Sequence, residues 1–361
     1  MGVDYVIVGA GISGCVTANL LHKKYPGRQI LVVEKRDHIG GNCYDYTDRL
    51  GLLHHEYGPH LFHTNDKEVW EYVSSYAEGW YYYQHKVLSY VDGCYVPFPP
   101  DEETVARNWY EFDDSYKSFV QYKANSLTFT RSRVGKVLYE KMFHGYTKKQ
   151  WGKEAEELSY KVCGRIPIRS TGDTRYFDDQ YQGIPLDGYT KVLHKILYSS
   201  GNIHVLLNTP YQNVGRDILY DPTVIWTGPV DEYFNHIEGR LPYRSLRFEN
   251  VLHWEDRHQL AAVVNYPNDY DYTRSIELKH ITKTPVPYTN VMYEYPVVLD
   301  KVNIPYYPIP CKESDDMFGR YKERMDLLSS GKIHFLGRLG KYQYINMDVA
   351  VREAMDFVKT V

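Results

Sequence analysis

The chain has 361 residues, 43% hydrophobic and 24% charged, an ordinary globular composition that suits two or three lobes packed around sizeable cores. A net charge of −4 argues against non-specific binding of nucleic acid or anionic membrane, so an anionic ligand must be held by a few local arginines or lysines. The five cysteines, Cys15, Cys43, Cys94, Cys163 and Cys311, are odd in number, widely spaced and lack a C-x-x-C pair, which points away from a disulfide framework and towards a reducing cytosol.

At the start of the chain, Asp4 stands where a secretory leader would carry Lys or Arg, and Val6 breaks the myristoylation pattern. No apolar run approaches the about 18 residues that span a bilayer. A cytoplasmic protein without membrane contact is expected. Residues 3–8 read as a buried strand, Gly9-Ala10-Gly11-Ile12-Ser13-Gly14 as a turn, Cys15 to Lys24 as a helix and residues 29–34 as a second strand, together a βαβ opening. In a G-x-G-x-x-G motif the first glycine allows the tight turn, the second admits a pyrophosphate to backbone N–H groups, and the third allows close helix packing. Glu34, twenty residues after Gly14, can accept hydrogen bonds from a ribose 2′-hydroxyl and would repel a 2′-phosphate.

The motif alone does not decide between NAD and FAD. A second glycine turn, Arg36-Asp37-His38-Ile39-Gly40-Gly41-Asn42, follows Glu34 closely and resembles FAD-binding folds, as does the closing Arg338-Leu339-Gly340 segment. The expected cofactor residues are Gly9, Gly11, Gly14, Glu34, Arg36, Gly41, Asn42 and Arg338, with Tyr344 and Asn346 beyond them.

Phe98-Pro99-Pro100 then breaks the chain, and few glycines follow, so residues 98–165 predict a helical lobe. From about 220 to 330, short runs such as Thr223–Trp226 and Ala261–Asn265 predict sheet. Residues 332–338 read as a strand and 347–359 as a closing helix. The fold expected is α/β: a discontinuous FAD-binding Rossmann-like domain (1–97, about 200–240 and 330–361), an inserted helical lobe (98–165) and an antiparallel-sheet substrate lobe (166–199 and about 241–329). Tyrosine outnumbers phenylalanine 37 to 12, and its ring with a polar tip suits half-wet sites.

Tyr57-Gly-Pro-His60-Leu-Phe-His63-Thr-Asn65 resembles the flavin-facing loop of UDP-galactopyranose mutases. Gly145-Tyr-Thr-Lys-Lys-Gln-Trp151-Gly, Arg165-Ile-Pro-Ile-Arg169, Arg175-Tyr-Phe177, Tyr181-Gln-Gly-Ile-Pro185, Tyr243-Arg-Ser-Leu246, Tyr272-Thr-Arg274, Glu294-Tyr-Pro296 and Pro305-Tyr-Tyr-Pro308 follow in that family's order. The resemblance implies a flavin-dependent isomerase that interconverts pyranose and furanose forms of a nucleotide sugar through a covalent adduct with N5 of reduced FAD. It also implies a UDP-sugar substrate, an external reductant such as NAD(P)H, frequent dimers and a role in cell-surface polysaccharide biosynthesis. Arg165 and Arg274 would grip the diphosphate, a role that suits fork-shaped guanidiniums. Tyr176, Tyr307 and Tyr344 would bond it, and Tyr146 and Trp151 would frame the uracil, Trp151 near a mobile loop that closes over substrate. Phe177, Arg244, Asn265 and Glu294 complete the substrate set. His60 would sit near the sugar, and His63 would respond to the flavin's redox state.

Read without the resemblance, His60 and His63 form an H-x-x-H pair with no third ligand nearby, which leaves metal aside and satisfied loop histidines open. No general acid–base pair stands out elsewhere, and a reaction run by the flavin needs few protein acids. Four features depart from the family: Asn346 replaces an Asp, with Asp348 nearby; Ser170-Thr171-Gly172 replaces bulkier aromatic positions; the Asn265–Arg274 segment is a residue shorter; and 99–135 is unfamiliar. They leave room for the same chemistry on UDP-N-acetylgalactosamine or a deoxy sugar and for a non-catalytic binder, while the opening glycine motif, shared with FAD amine oxidases, leaves an amine-oxidase-like enzyme open.

Overall fold

The computed structural model describes residues 2–100, 123–167, 173–199, 201–215, 221–300, 303–329 and 331–361. The Ser170–Gly172 departure, Arg169 and residues 101–122 of the expected helical lobe lie outside them. The fold is α/β with a Rossmann-like dinucleotide-binding domain. Its five parallel strands run in the order Ile203–Leu206, Ile30–Val33, Tyr5–Val8, Thr223–Trp226 and Ile333–Phe335. Ile30–Val33 is buried at every position, as suits a parallel strand covered on both faces.

The helix Ile12–Lys24 packs against both Tyr189–Leu197 and the closing helix Met347–Thr360. It has hardly any exposed face, so Asn19 is fully buried within it. That amide is satisfied on both ends: Nδ2 donates to Ile196 O (2.9 Å) and Ser199 Oγ (2.7 Å), and Oδ1 accepts from Tyr72 and Tyr76.

A seven-stranded sheet follows the order Tyr307–Pro308, Tyr243–His253, Thr289–Val298, Arg274–Ile276, Val263–Asn265, Val87–Val91 and Cys94–Phe98. All its pairs are antiparallel except Val263–Asn265 with Val87–Val91. A third sheet sets Tyr181–Pro185 between Phe62–Thr64 and Trp80–Tyr82. The helices Ser126–Leu138, Gly145–Trp151 and Lys161–Gly164, with a π-helical turn at Tyr139–His144, make up the described helical region.

Three contacts run across the expected boundaries. Strand Val87–Val91 pairs with Val263–Asn265 on one side and with Cys94–Phe98 on the other, so both early strands extend the seven-stranded sheet. Helix Tyr189–Leu197 joins the dinucleotide-binding side through its contact with Ile12–Lys24. Within the stretch expected to be sheet, Lys312–Ser329 is helical and packs against Ile333–Phe335. Met317, Tyr321 and Met325, four residues apart, put one helical stripe into the cluster around Trp226 and Phe335.

Candidate active site

Two adjoining cavities hold the residues of interest. The smaller, about 230 Å³, lies along the glycine turns and is lined by Gly9, Gly11, Glu34, Arg36, Gly41, Asn42, Arg338 and Asn346. The larger, about 490 Å³, gathers His60, His63, Tyr146, Trp151, Arg165, Tyr176, Phe177, Asn265, Arg274, Glu294, Tyr307 and Tyr344. His60, Arg338, Asn346 and Met347 line both.

The smaller cavity is built by close backbone approach. Gly40 N donates to Ala10 O (2.8 Å), so the second glycine turn lies on the first. A Cβ on Gly41, whose φ is +56°, would come within 2.8 Å of Gly11 Cα. Glu34 accepts Ala10 N–H at one carboxylate oxygen (2.8 Å) and Arg36 N–H at the other (2.9 Å), bracing the turn while facing the cavity. Helix Ile12–Lys24 begins beside it with no side-chain cap and no acidic residue in its first turn, leaving its N–H groups open to an anion. The Arg36 guanidinium lies over Tyr57 and bonds Asn42 Oδ1, but its buried Nη1 has no partner among the described residues. A glycine cradle, an open helix N-terminus and an orphaned cationic donor fit a dinucleotide pyrophosphate. Gly14 does not line this cavity. It sits where the helix crosses the preceding turn, and a Cβ there would meet Gly9 O at 1.9 Å.

The larger cavity brings three arginines, Arg165, Arg274 and Arg338, together with three carboxylates, Glu294, Asp178 and Asp179. Asn265, Arg274 and Glu294 are cross-strand neighbours. Glu294 is fully buried, and one of its oxygens takes both Arg274 Nε (2.8 Å) and Nη2 (2.6 Å), so this carboxylate, expected among the substrate contacts, is engaged in orienting Arg274. The Arg165 guanidinium lies 4.4 Å from the Tyr344 ring centre, and that of Arg338 lies 5.3 Å from both Tyr307 and Tyr344. Desolvation pushes the Tyr146, Tyr176 and Tyr307 hydroxyls up from the ordinary phenol range. Tyr344 feels the same desolvation, yet Arg165 and Arg338 hold it below that range. Trp151 is buried, edge-on to Tyr344 (5.7 Å between centroids), and ends the helix Gly145–Trp151. Lys149 of that helix reaches the carbonyls of Tyr266 (2.5 Å), Tyr270 (2.8 Å) and Tyr272 (3.1 Å), in the loop between the strands of Asn265 and Arg274.

Four residues singled out in the sequence are placed as follows. Arg244 does not line either cavity; its guanidinium donates to Gln150 O (2.9 Å) and Lys149 O (3.0 Å), using the free carbonyls at the C-terminus of Gly145–Trp151. Asn346 occupies the N-cap position of the closing helix, but its side chain makes no capping bond and is left facing both cavities. Asp348 lines neither cavity and accepts a bond from Thr64. Tyr344, expected at the cofactor as well as the substrate, lines the larger cavity alone.

Sequence reasoning missed His85 and Asp179. His85 lines the larger cavity with its ring along Phe177 (5.5 Å, 22°). Asp179 Oδ2 lies 2.8 Å from His63 Nδ1, although 116 residues separate the two, so no local spacing could reveal the pair. His60 and His63 belong to no three-ligand group among the described residues.

Burial pulls His55 down to about 3 and, with Arg338 nearby, His60 down to about 4. The native state keeps both neutral, whereas the unfolded chain binds protons below about pH 6.5. Stability from this source is therefore full above pH 6.5 and is lost as pH falls towards 4, at up to about 1.4 kcal/mol per pH unit for each histidine. The urea midpoint is expected to be lower at pH 5 than at pH 7; equal midpoints would contradict it.

A family model for UDP-galactopyranose mutase matches residues 141–344, and one for an NAD(P)-binding Rossmann-like domain matches residues 7–76. A probable UDP-galactopyranose mutase of Klebsiella pneumoniae is 36% identical over 98% of this chain and 93% of its own. A dTDP-fucopyranose mutase of Escherichia coli is 31% identical over 97% and 96%. The crystal structure of a reduced UDP-galactopyranose mutase superposes with a TM-score of 0.80 at 15% identity, covering 99% of this chain and 93% of that one.

Proposed function

Because the chain belongs to the UDP-galactopyranose mutase family, a family of isomerases that act on nucleotide sugars, we propose that it interconverts UDP-galactopyranose and UDP-galactofuranose with FAD as its resident cofactor. The supporting observation is the wall of Arg165, Arg274, Arg338, Tyr146, Tyr176, Tyr307 and Tyr344, joined to a dinucleotide cradle through His60, Arg338, Asn346 and Met347.

When bound and reduced, FAD supplies an electron-rich nucleophile for the anomeric carbon. The rest falls to the chain. The diphosphate leaves that carbon and must return to it, so it cannot be released between the two events. Arg165 and Arg274 hold it, with Tyr176, Tyr307 and Tyr344 as neutral donors around them. Glu294 fixes the plane of Arg274. Tyr146 and Trp151 frame the base. His60 donates Nδ1–H to Gly58 O (2.9 Å), which leaves Nε2 as an acceptor at the junction of the cavities, suited to a sugar hydroxyl.

Protein reduced with dithionite is expected to convert UDP-galactofuranose to the pyranose, followed by chromatography, without consuming reductant in proportion. Absence of pyranose product would refute the substrate. The likeness to the E. coli dTDP-fucopyranose mutase favours a deoxy sugar as the second reading, and dTDP-fucofuranose in the same assay separates the two.

A further inference from the structure

His63 is held on two sides. Its ring lies flat on Phe177, with centroids 3.7 Å apart and planes at 13°, and its Nδ1 lies 2.8 Å from Asp179 Oδ2. His63, Phe177 and Asp179 all line the larger cavity with Arg274 and Tyr176. The contact is built into the fold. Strand Phe62–Thr64 pairs with Tyr181–Pro185 so that His63 stands opposite Gln182. Gln182 Nε2 donates to Asp179 O (2.8 Å), and Gln180 N donates to Asn65 Oδ1 (2.8 Å). The turn that carries Asp179 is therefore tied to the strand that carries His63.

A carboxylate facing Nδ1 accepts its proton and fixes the tautomer, so any proton exchanged with a ligand passes through Nε2. His63 Nε2 bonds no described residue, and the side chain keeps 12% of its exposure. The other cavity histidines are poorly suited to give a proton near neutrality: burial holds His60 at about 4 and His85 at about 3.

We infer that His63 is the proton-transfer residue of the ring interconversion and that Asp179 is its positioning residue, an inference that rests on the mutase reading. Passing from pyranose to furanose breaks C1–O5 and makes C1–O4. O5 leaves with the bonding pair and gains a proton; O4 supplies a lone pair to C1 and loses one. Charged His63 gives its Nε2 proton to O5 and the neutral ring takes one back from O4, with the order reversed in the return direction. The two oxygens meet the same carbon in turn, so one nitrogen beside C1 serves both. No proton is gained or lost overall, and no oxidant or further reactant is needed.

The test uses the FAD-loaded, reduced full chain with UDP-galactofuranose. Asp179→Asn and His63→Gln are each expected to lower kcat on the order of 10²-fold, the usual scale of general acid–base catalysis, with KM little changed. FAD absorbance and UDP affinity should match the wild type, and Asp179→Glu should recover part of the lost kcat. Undiminished kcat in either variant overturns the inference. So does a loss that appears as weakened UDP or FAD binding, which is the signature of a packing role. Wild-type protein without mutase activity overturns the mutase reading and this inference together, whereas an active wild type with an equally active Asp179→Asn overturns this inference alone.

Discussion

Arg274→Ala is expected to weaken UDP binding by at least tenfold and to destabilise the fold at the same time. Each charged hydrogen bond lost to a diphosphate removes about 1.5–3 kcal/mol, and 1.4 kcal/mol is tenfold in affinity. The second effect comes from Glu294. It is fully buried, and its Oε2 receives both Arg274 contacts, so deleting the arginine strands a carboxylate. Breaking a buried pair from one side costs about 3–5 kcal/mol. The two effects separate in the double variant. Glu294→Gln added to Arg274→Ala should restore much of the stability, read as a urea midpoint, and none of the affinity, read by calorimetry with UDP. Wild-type UDP affinity in Arg274→Ala would remove the assigned role. Arg274→Lys should fall between, because lysine keeps the charge but lacks the fork that meets Glu294 through two nitrogens.

Gly14→Ala should give a protein that fails to hold FAD. The obstacle is backbone: the new methyl carbon would sit 1.9 Å from Gly9 O and 3.1 Å from Gly9 C. The helix must back away from the turn, and the opening N–H groups then no longer converge on the pyrophosphate position. Gly27→Ala is the control, since a Cβ there meets nothing within 4 Å. After reconstitution with FAD and desalting, Gly27→Ala should retain the flavin absorbance band and Gly14→Ala should not. A yellow Gly14→Ala protein would contradict this account of the turn.

The parts legible in the sequence were those written locally. The glycine turn, its two strands and Glu34 lie within one short stretch, and their spacing carries their geometry. Arg165, Arg274 and the tyrosines were legible through ordered resemblance, because no rule of spacing links residues drawn from different sheets and helices. Arg244 was misread for a physical reason: an arginine within a substrate-binding motif can equally serve the carbonyls at a helix end, and only the meeting of strand Tyr243–His253 with helix Gly145–Trp151 decides which. Asp179 was invisible because its partner is brought to it by strand pairing across 116 residues. Helix Lys312–Ser329 was missed although its apolar stripe was present; its many charges masked the repeat of Met317, Tyr321 and Met325.

The Lys149 ammonium grips three carbonyls of the loop leading to Arg274 from the helix that carries Tyr146 and Trp151. Its three N–H donors are thereby all committed. Helix Gly145–Trp151 and the strand that carries Arg274 are thus tied to one another through that loop. On the proposed function, the contacts to base and diphosphate therefore hold or loosen together.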